Sequence, residues 1–148
     1  MPSISVEDYL EKIYELESAY GLARIQEIAE LLGVTASSVT KMVQRLDRDG
    51  LVRYERYRGV HMTERGRQLG RAYEERHQQL AAFLRLLGVD DEQVIYGDVE
   101  GIEHHVSPQT MRAIARLAAF LQASPHCLQA LRAFPYPKQD GLSTGQTP

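Results

Sequence analysis

From Val6 to Leu16 the apolar residues Tyr9, Leu10, Ile13, Tyr14 and Leu16 recur at helical spacing, and Asp8, Glu11 and Glu15 share the opposite side. Ser5 is placed to cap this helix and Gly21 to end it. Ile25, Ile28, Ala29 and Leu32 make a second short stripe, stopped by Gly33. Thr35 caps a third helix, from about residue 36 to 49, stopped by Gly50. Its inner face is Val39, Met42, Val43 and Leu46. Its outer face is Ser37, Ser38, Thr40, Lys41, Gln44 and Arg45. The periodicity then shortens to two strand-like runs, 51–55 and 59–62, with Arg56-Tyr57-Arg58 between them. Thr63 starts a long helix that reaches Leu87 before Gly88. A fifth helix covers about 91–105, Ser107-Pro108 opens a sixth, and a seventh spans 125–133. The segment from Pro135 has no periodicity and is predicted to stay disordered.

Helix, helix–turn–helix, two-stranded ribbon and helix, in that order, predict a mainly α chain with an N-terminal winged helix–turn–helix. We expect this domain over residues 1–63 and a helical domain over 64–134. The long helix 64–87 would link them, and 135–148 would form a tail.

Charge sharpens the picture. The 148-residue chain has a net charge of −3, which excludes a uniformly basic nucleic-acid coat. Yet residues 36–71 hold 9 basic and 4 acidic side chains, +5 in a chain whose remainder is −8. That block contains both the third helix and the ribbon. A helix fits the major groove of DNA. Hydroxyls at Thr35, Ser37, Ser38 and Thr40 permit close approach, Lys41, Gln44 and Arg45 add longer donors, and Arg56 and Arg58 can reach the backbone or minor groove. Cys127 is the only cysteine, so no intrachain disulfide forms and a reducing compartment fits. The most apolar run, 80–89, is too short to span a bilayer, and no signal pattern opens the chain. A cytoplasmic protein without membrane partners is expected.

Glu100, Glu103 and His104 fall at i, i+3 and i+4, within one arc of a regular helix, beside the apolar stripe Ile95, Val99, Ile102 and Val106. Two carboxylates and an imidazole suit a divalent cation. His77 lies in line with Tyr73, Leu80 and Leu84, where an imidazole needs a partner. Asp8 and Glu11 supply a third set. Each set alone also reads as a solvated face or a core histidine. Together they point to a metal tying the first helix to the fourth and fifth.

Four segments carry a resemblance: Glu7-Asp-Tyr-Leu-Glu-Lys-Ile-Tyr14, Ser37-Ser-Val-Thr-Lys-Met-Val-Gln44, Glu55-Arg-Tyr-Arg-Gly59 and Asp98-Val-Glu-Gly-Ile-Glu-His-His105. From Val6 to Leu121 the chain resembles the diphtheria-toxin-repressor family of metalloregulators, in its manganese-responsive branch. The resemblance implies a homodimer whose second domain binds metal and dimerises, a role suited to the apolar Met111, Ile114, Leu117, Ala118 and Leu121. It implies Mn(II)-activated repression of manganese-uptake genes at near-palindromic operators in double-stranded DNA. It further implies two Mn(II) ions per subunit, one on Glu11, His77, Glu100 and Glu103, the other on Asp8, Glu100, Glu103 and His104. Iron-responsive relatives place methionine at Asp8 and cysteine at Glu100, and often add an SH3-like domain for which the tail here is too short. An Fe(II)- or Zn(II)-responsive repressor of the same family is the alternative. An enzyme is not expected, since no nucleophile–base set or paired Glu-x-x-His motif is present.

Overall fold

A computed structural model describes residues 4–137. The elements are α1 (Val6–Tyr20), α2 (Ile25–Leu32), α3 (Ala36–Arg48), β1 (Val52–Glu55), β2 (Gly59–Met62), α4 (Glu64–Leu87), α5 (Glu92–Ile102), a 3-10 turn (Glu103–His105), α6 (Pro108–Ala123) and α7 (Pro125–Ala133). Residues 135–137 have no regular structure, and the rest of the predicted tail lies outside the described residues.

The chain divides into two compact units that meet between Gln78 and Gln79, inside α4. In the first unit, α1 to α3, the ribbon and the start of α4 close over one core. Leu10, Ile13, Ile28, Val39, Val43, Leu46, Val52 and Val60 are its largest fully buried side chains. Local chemistry sets the element ends. Ser5 and Asp8 form a capping box on α1: Ser5 Oγ accepts from the Asp8 N–H at 3.1 Å, and Asp8 Oδ2 accepts from the Ser5 N–H at 2.6 Å. Gly21 ends α1 and Gly33 ends α2, both left-handed. The ribbon pairs antiparallel, Val52 with Met62 through Glu55 with Gly59. Ala23 adds a short third rung by exchanging two backbone bonds with Val60, at 3.0 and 2.8 Å. At the ribbon tip Tyr57 takes φ 67°, a left-handed backbone unusual for a bulky residue, with its ring 92% exposed under the Arg56 guanidinium.

Where α4 begins, Thr63 Oγ1 accepts from the Gly66 N–H at 3.1 Å and donates to Gly50 O at 2.8 Å, with Leu51 O also within reach at 3.1 Å. Gly66 is packed so tightly here that any Cβ would collide with Leu51 O.

In the second unit Leu80, Ala81, Ile95, Val99 and Met111 form a separate core from α4, α5 and α6. Arg85 clasps Glu92 with two bonds of 2.8 and 2.7 Å, holding the Glu92 carboxyl below its usual range. Ser107 caps α6 with Pro108 in its first turn.

One expectation needs correcting. The fifth helix does not run regularly to residue 105: it ends at Ile102 and tightens into the 3-10 turn. A 3-10 turn advances about 120° per residue instead of 100°. Ile102, expected in the apolar stripe, is 41% exposed, and Glu103 is turned inward to 1%.

Candidate metal centre and nucleic-acid face

Six residues were expected to hold metal, and each unit carries three of them. In the first unit, α1 presents Asp8 and Glu11, and α4 presents His77. The capping box fixes Asp8: its Oδ2 also accepts from the Ser5 hydroxyl at 2.8 Å. Glu11 is 7% exposed, although it lies on the side of α1 expected to face away from the winged-helix core. Its Oε1 stands 3.7 Å from Nδ1 of His77. That is too long for a hydrogen bond and within the span of two donors each about 2.2 Å from one ion. So the structure joins Glu11 to His77 inside one unit. Glu15, grouped with Asp8 and Glu11 by pattern, is exposed and pairs with Lys12 at 3.2 Å.

In the second unit, α5 carries Glu100 on its last turn, and the 3-10 turn carries Glu103 and His104. Glu100 and His104 are half-buried. Nε2 of His104 lies 3.7 Å from Oε1 of Glu103. Among the described residues Glu11 and Glu103 are the only buried carboxylates, and each has a histidine beside it. Ionised carboxylates are seldom buried unless positive charge or donors compensate them. Four carboxylates and two imidazoles, with no thiolate, form a hard, oxygen-rich donor set of the kind that suits Mn(II).

The expected DNA-reading residues lie on the exposed side of the first unit. Thr35, Ser37, Ser38, Lys41, Gln44, Arg45, Arg56 and Arg58 are exposed, and Thr40 is half-buried with its hydroxyl donated to Ala36 O at 2.9 Å. Thr35 Oγ1 caps α3 at the Ser38 N–H (3.2 Å) and meets the Ser38 hydroxyl at 2.9 Å, so the hydroxyls cluster at the first turn of α3. Arg45 pairs loosely with Asp49 (3.8 Å) and Arg58 with Glu55 (3.4 Å), both in solvent, where such pairs are weak and exchangeable.

Two residues beside the donors went unnoticed in the sequence. Glu7 and Arg76 form a 2.7 Å ion pair between α1 and α4. A signal was available: Glu7 directly precedes Asp8, and Arg76 directly precedes His77.

Comparisons with known proteins place the chain in a family. Residues 1–60 match the family model "Iron dependent repressor, N-terminal DNA binding domain", and residues 63–132 match "Iron dependent repressor, metal binding and dimerisation domain". The chain is 49% identical over 133 residues to the HTH-type transcriptional regulator MntR of Lysinibacillus sphaericus, covering 90% of this chain and 95% of that one. It is 50% identical over 132 residues to the regulator of the same name in Geobacillus kaustophilus, covering 89% and 93%. Among solved structures, a manganese-dependent transcriptional repressor in complex with manganese matches with a TM-score of 0.71 and 27% identity, over 78% of this chain and 53% of that one. IdeR of T. acidophilum matches in fold, with a TM-score of 0.73 and 20% identity, over 80% and 56%. The chain thus spans little more than half the length of these two solved proteins. No helix among the described residues is long and apolar enough to cross a membrane.

Proposed function

Because this chain belongs to the iron dependent repressor family of DNA-binding transcriptional regulators, we propose that it represses transcription in response to Mn(II), as a homodimer on near-palindromic operators of manganese-uptake genes. It is a regulator and not an enzyme. The observation that carries the metal reading is the pair of buried carboxylates, Glu11 and Glu103, one in each unit and each beside a histidine.

Asp8, Glu11 and His77 from the first unit and Glu100, Glu103 and His104 from the second make up the proposed binding set. Glu11, His77, Glu100 and Glu103 serve one ion. Asp8, Glu100, Glu103 and His104 serve a second, with Glu100 and Glu103 bridging. A bound cation supplies the positive charge that lets these carboxylates gather without repulsion. The Ser5–Asp8 capping box and the packing of His77 against Glu11 hold the first three donors in place. With both units engaged on one donor set, the two recognition helices of a dimer sit more often at the spacing of successive major-groove turns. On DNA, Thr35, Ser37, Ser38, Thr40, Lys41, Gln44 and Arg45 of the α3 region face the groove, and Arg56 and Arg58 of the ribbon reach the backbone or minor groove.

Neither donor chemistry nor affinity order selects Mn(II) over Zn(II) by itself, since zinc binds most sites more tightly. Selectivity rests on coordination number: an ion content with fewer ligands need not recruit both units. A gel shift on upstream DNA of manganese-uptake genes, run with Mn(II), Fe(II), Zn(II) or chelator, tests the reading. Tight binding only with Mn(II) is expected. Equal binding in chelator rejects metal activation, and a response to Fe(II) or Zn(II) instead of Mn(II) reassigns the metal.

A further inference from the structure

We infer that Glu7 and Arg76 are a positioning pair for the metal donors of the first unit, fixing the first turn of α1 on α4 so that Asp8, Glu11 and His77 are held in register. The inference rests on the Mn(II) reading above and assigns a role to two residues outside the donor set.

Within the first unit, α1 and the early part of α4 run antiparallel and are pinned at three levels. At one end Glu17 accepts two bonds from Arg67, at 2.9 and 3.1 Å. In the middle Gly70 lets the helices touch: a Cβ there would lie 2.7 Å from Tyr14 Cβ and 3.1 Å from Leu10 O. At the other end Arg76 Nη2 donates to Glu7 Oε2 at 2.7 Å. This last pair is not an ordinary surface bridge. The Arg76 side chain is only 22% exposed, its guanidinium lies 5.3 Å from the centre of the Tyr73 ring, and its Nε is buried without a hydrogen-bond partner. A guanidinium so enclosed depends on its carboxylate, because removing one partner of a buried pair leaves an uncompensated charge. Tyr73 senses the same cluster: burial first, and then the Glu7 charge, push its hydroxyl pKa up.

Position turns this clasp into a metal-site feature. Glu7 is next to Asp8 and one turn from Glu11, and Arg76 is next to His77. With the clasp gone, the first turn of α1 is free to pivot about the Gly70 contact. The 3.7 Å approach of Glu11 to His77 is then the first to change. The Glu17–Arg67 clasp is nine residues from Asp8, about 13 Å along the helix. It holds the same two helices together without touching the donors, which makes it the internal control.

The test is Mn(II) titration of the full-length protein, following free ion by electron paramagnetic resonance beside thermal unfolding in chelator. Glu7→Gln and Arg76→Met should each weaken Mn(II) binding about tenfold, the low end for residues that orient metal ligands. The double variant should be little worse than either single, and the reversed pair Glu7→Arg with Arg76→Glu should recover part of the loss. Arg67→Met should lower the unfolding temperature yet keep wild-type affinity. Wild-type affinity in both single variants overturns the inference. So does a loss in Arg67→Met as large as in Arg76→Met, which would reveal only general loosening. If Arg76→Met does not fold, the isosteric Glu7→Gln decides alone. Failure of the parent reading looks different: the wild type then shows no specific Mn(II) binding, or Glu11→Gln binds Mn(II) as tightly as the wild type.

Discussion

A glutamate side chain enclosed as Glu103 is, at 1% exposure, or Glu11, at 7%, gives up solvation that its fold must replace. This makes metal response separable from folding. With Mn(II) at one hundred times its dissociation constant, the wild type should gain about 2.7 kcal/mol of stability. Glu103→Gln keeps the shape and removes the charge. It should lose that gain while unfolding in chelator no earlier than the wild type, as calorimetry with and without Mn(II) will show. An equal Mn(II)-dependent rise in the variant would remove Glu103 from the donor set. On the opposite side of the function stands Lys41, exposed on α3. Lys41→Ala should leave Mn(II) affinity unchanged, weaken DNA binding across sequences, and lower the salt slope of binding by about one. A filter-binding series over salt concentration reads both numbers.

Elements were legible in the sequence wherever a cap and a stop bracketed a periodic run. Ser5 and Gly21, Thr35 and Gly50, and Ser107 with Pro108 are such marks, and the structure uses each of them at a helix end or just beyond it. The 3-10 ending of α5 was not legible, because Gly101 lies inside α5, one residue before its end at Ile102, and no glycine or proline follows until Pro108. The ligand-bearing faces were read from helical spacing, which works along one element. The Glu7–Arg76 and Glu17–Arg67 clasps join residues sixty-nine and fifty apart, a distance over which no periodicity speaks. Gly66 belongs to the same class. Nothing in its neighbours announces that Leu51 O sits where a Cβ would go. Gly66→Ala should therefore cost about 1–3 kcal/mol, the usual penalty of overpacking, by forcing the start of α4 away from Leu51. Urea unfolding measures it, and a neutral result would mean that this junction can relax.

For the whole molecule, regulation is a free-energy coupling between two ligands, and coupling is reciprocal. If Mn(II) tightens operator binding by some factor, operator must tighten Mn(II) binding by the same factor. Titrating Mn(II) with and without saturating operator DNA checks this, and identical affinities would sever metal from DNA. The charge distribution fits the division of labour. The +5 block at 36–71 lies within the DNA-reading part of the first unit, and acidic excess flanks it on both sides. Total charge, at −3, concealed this, and only the local count reveals the basic block that the proposed reading sets against DNA.

Tyr57, with its left-handed backbone and solvent-washed ring, carries a consequence for anyone who would improve this molecule. Residues there hold about 1–2 kcal/mol of conformational tension unless they are glycine or asparagine. Tyr57→Asn should release part of it and raise the melting temperature, while taking away the platform on which Arg56 rests and loosening the grip on DNA. Engineering for heat resistance and selection for tight repression would then pull this one position in opposite directions.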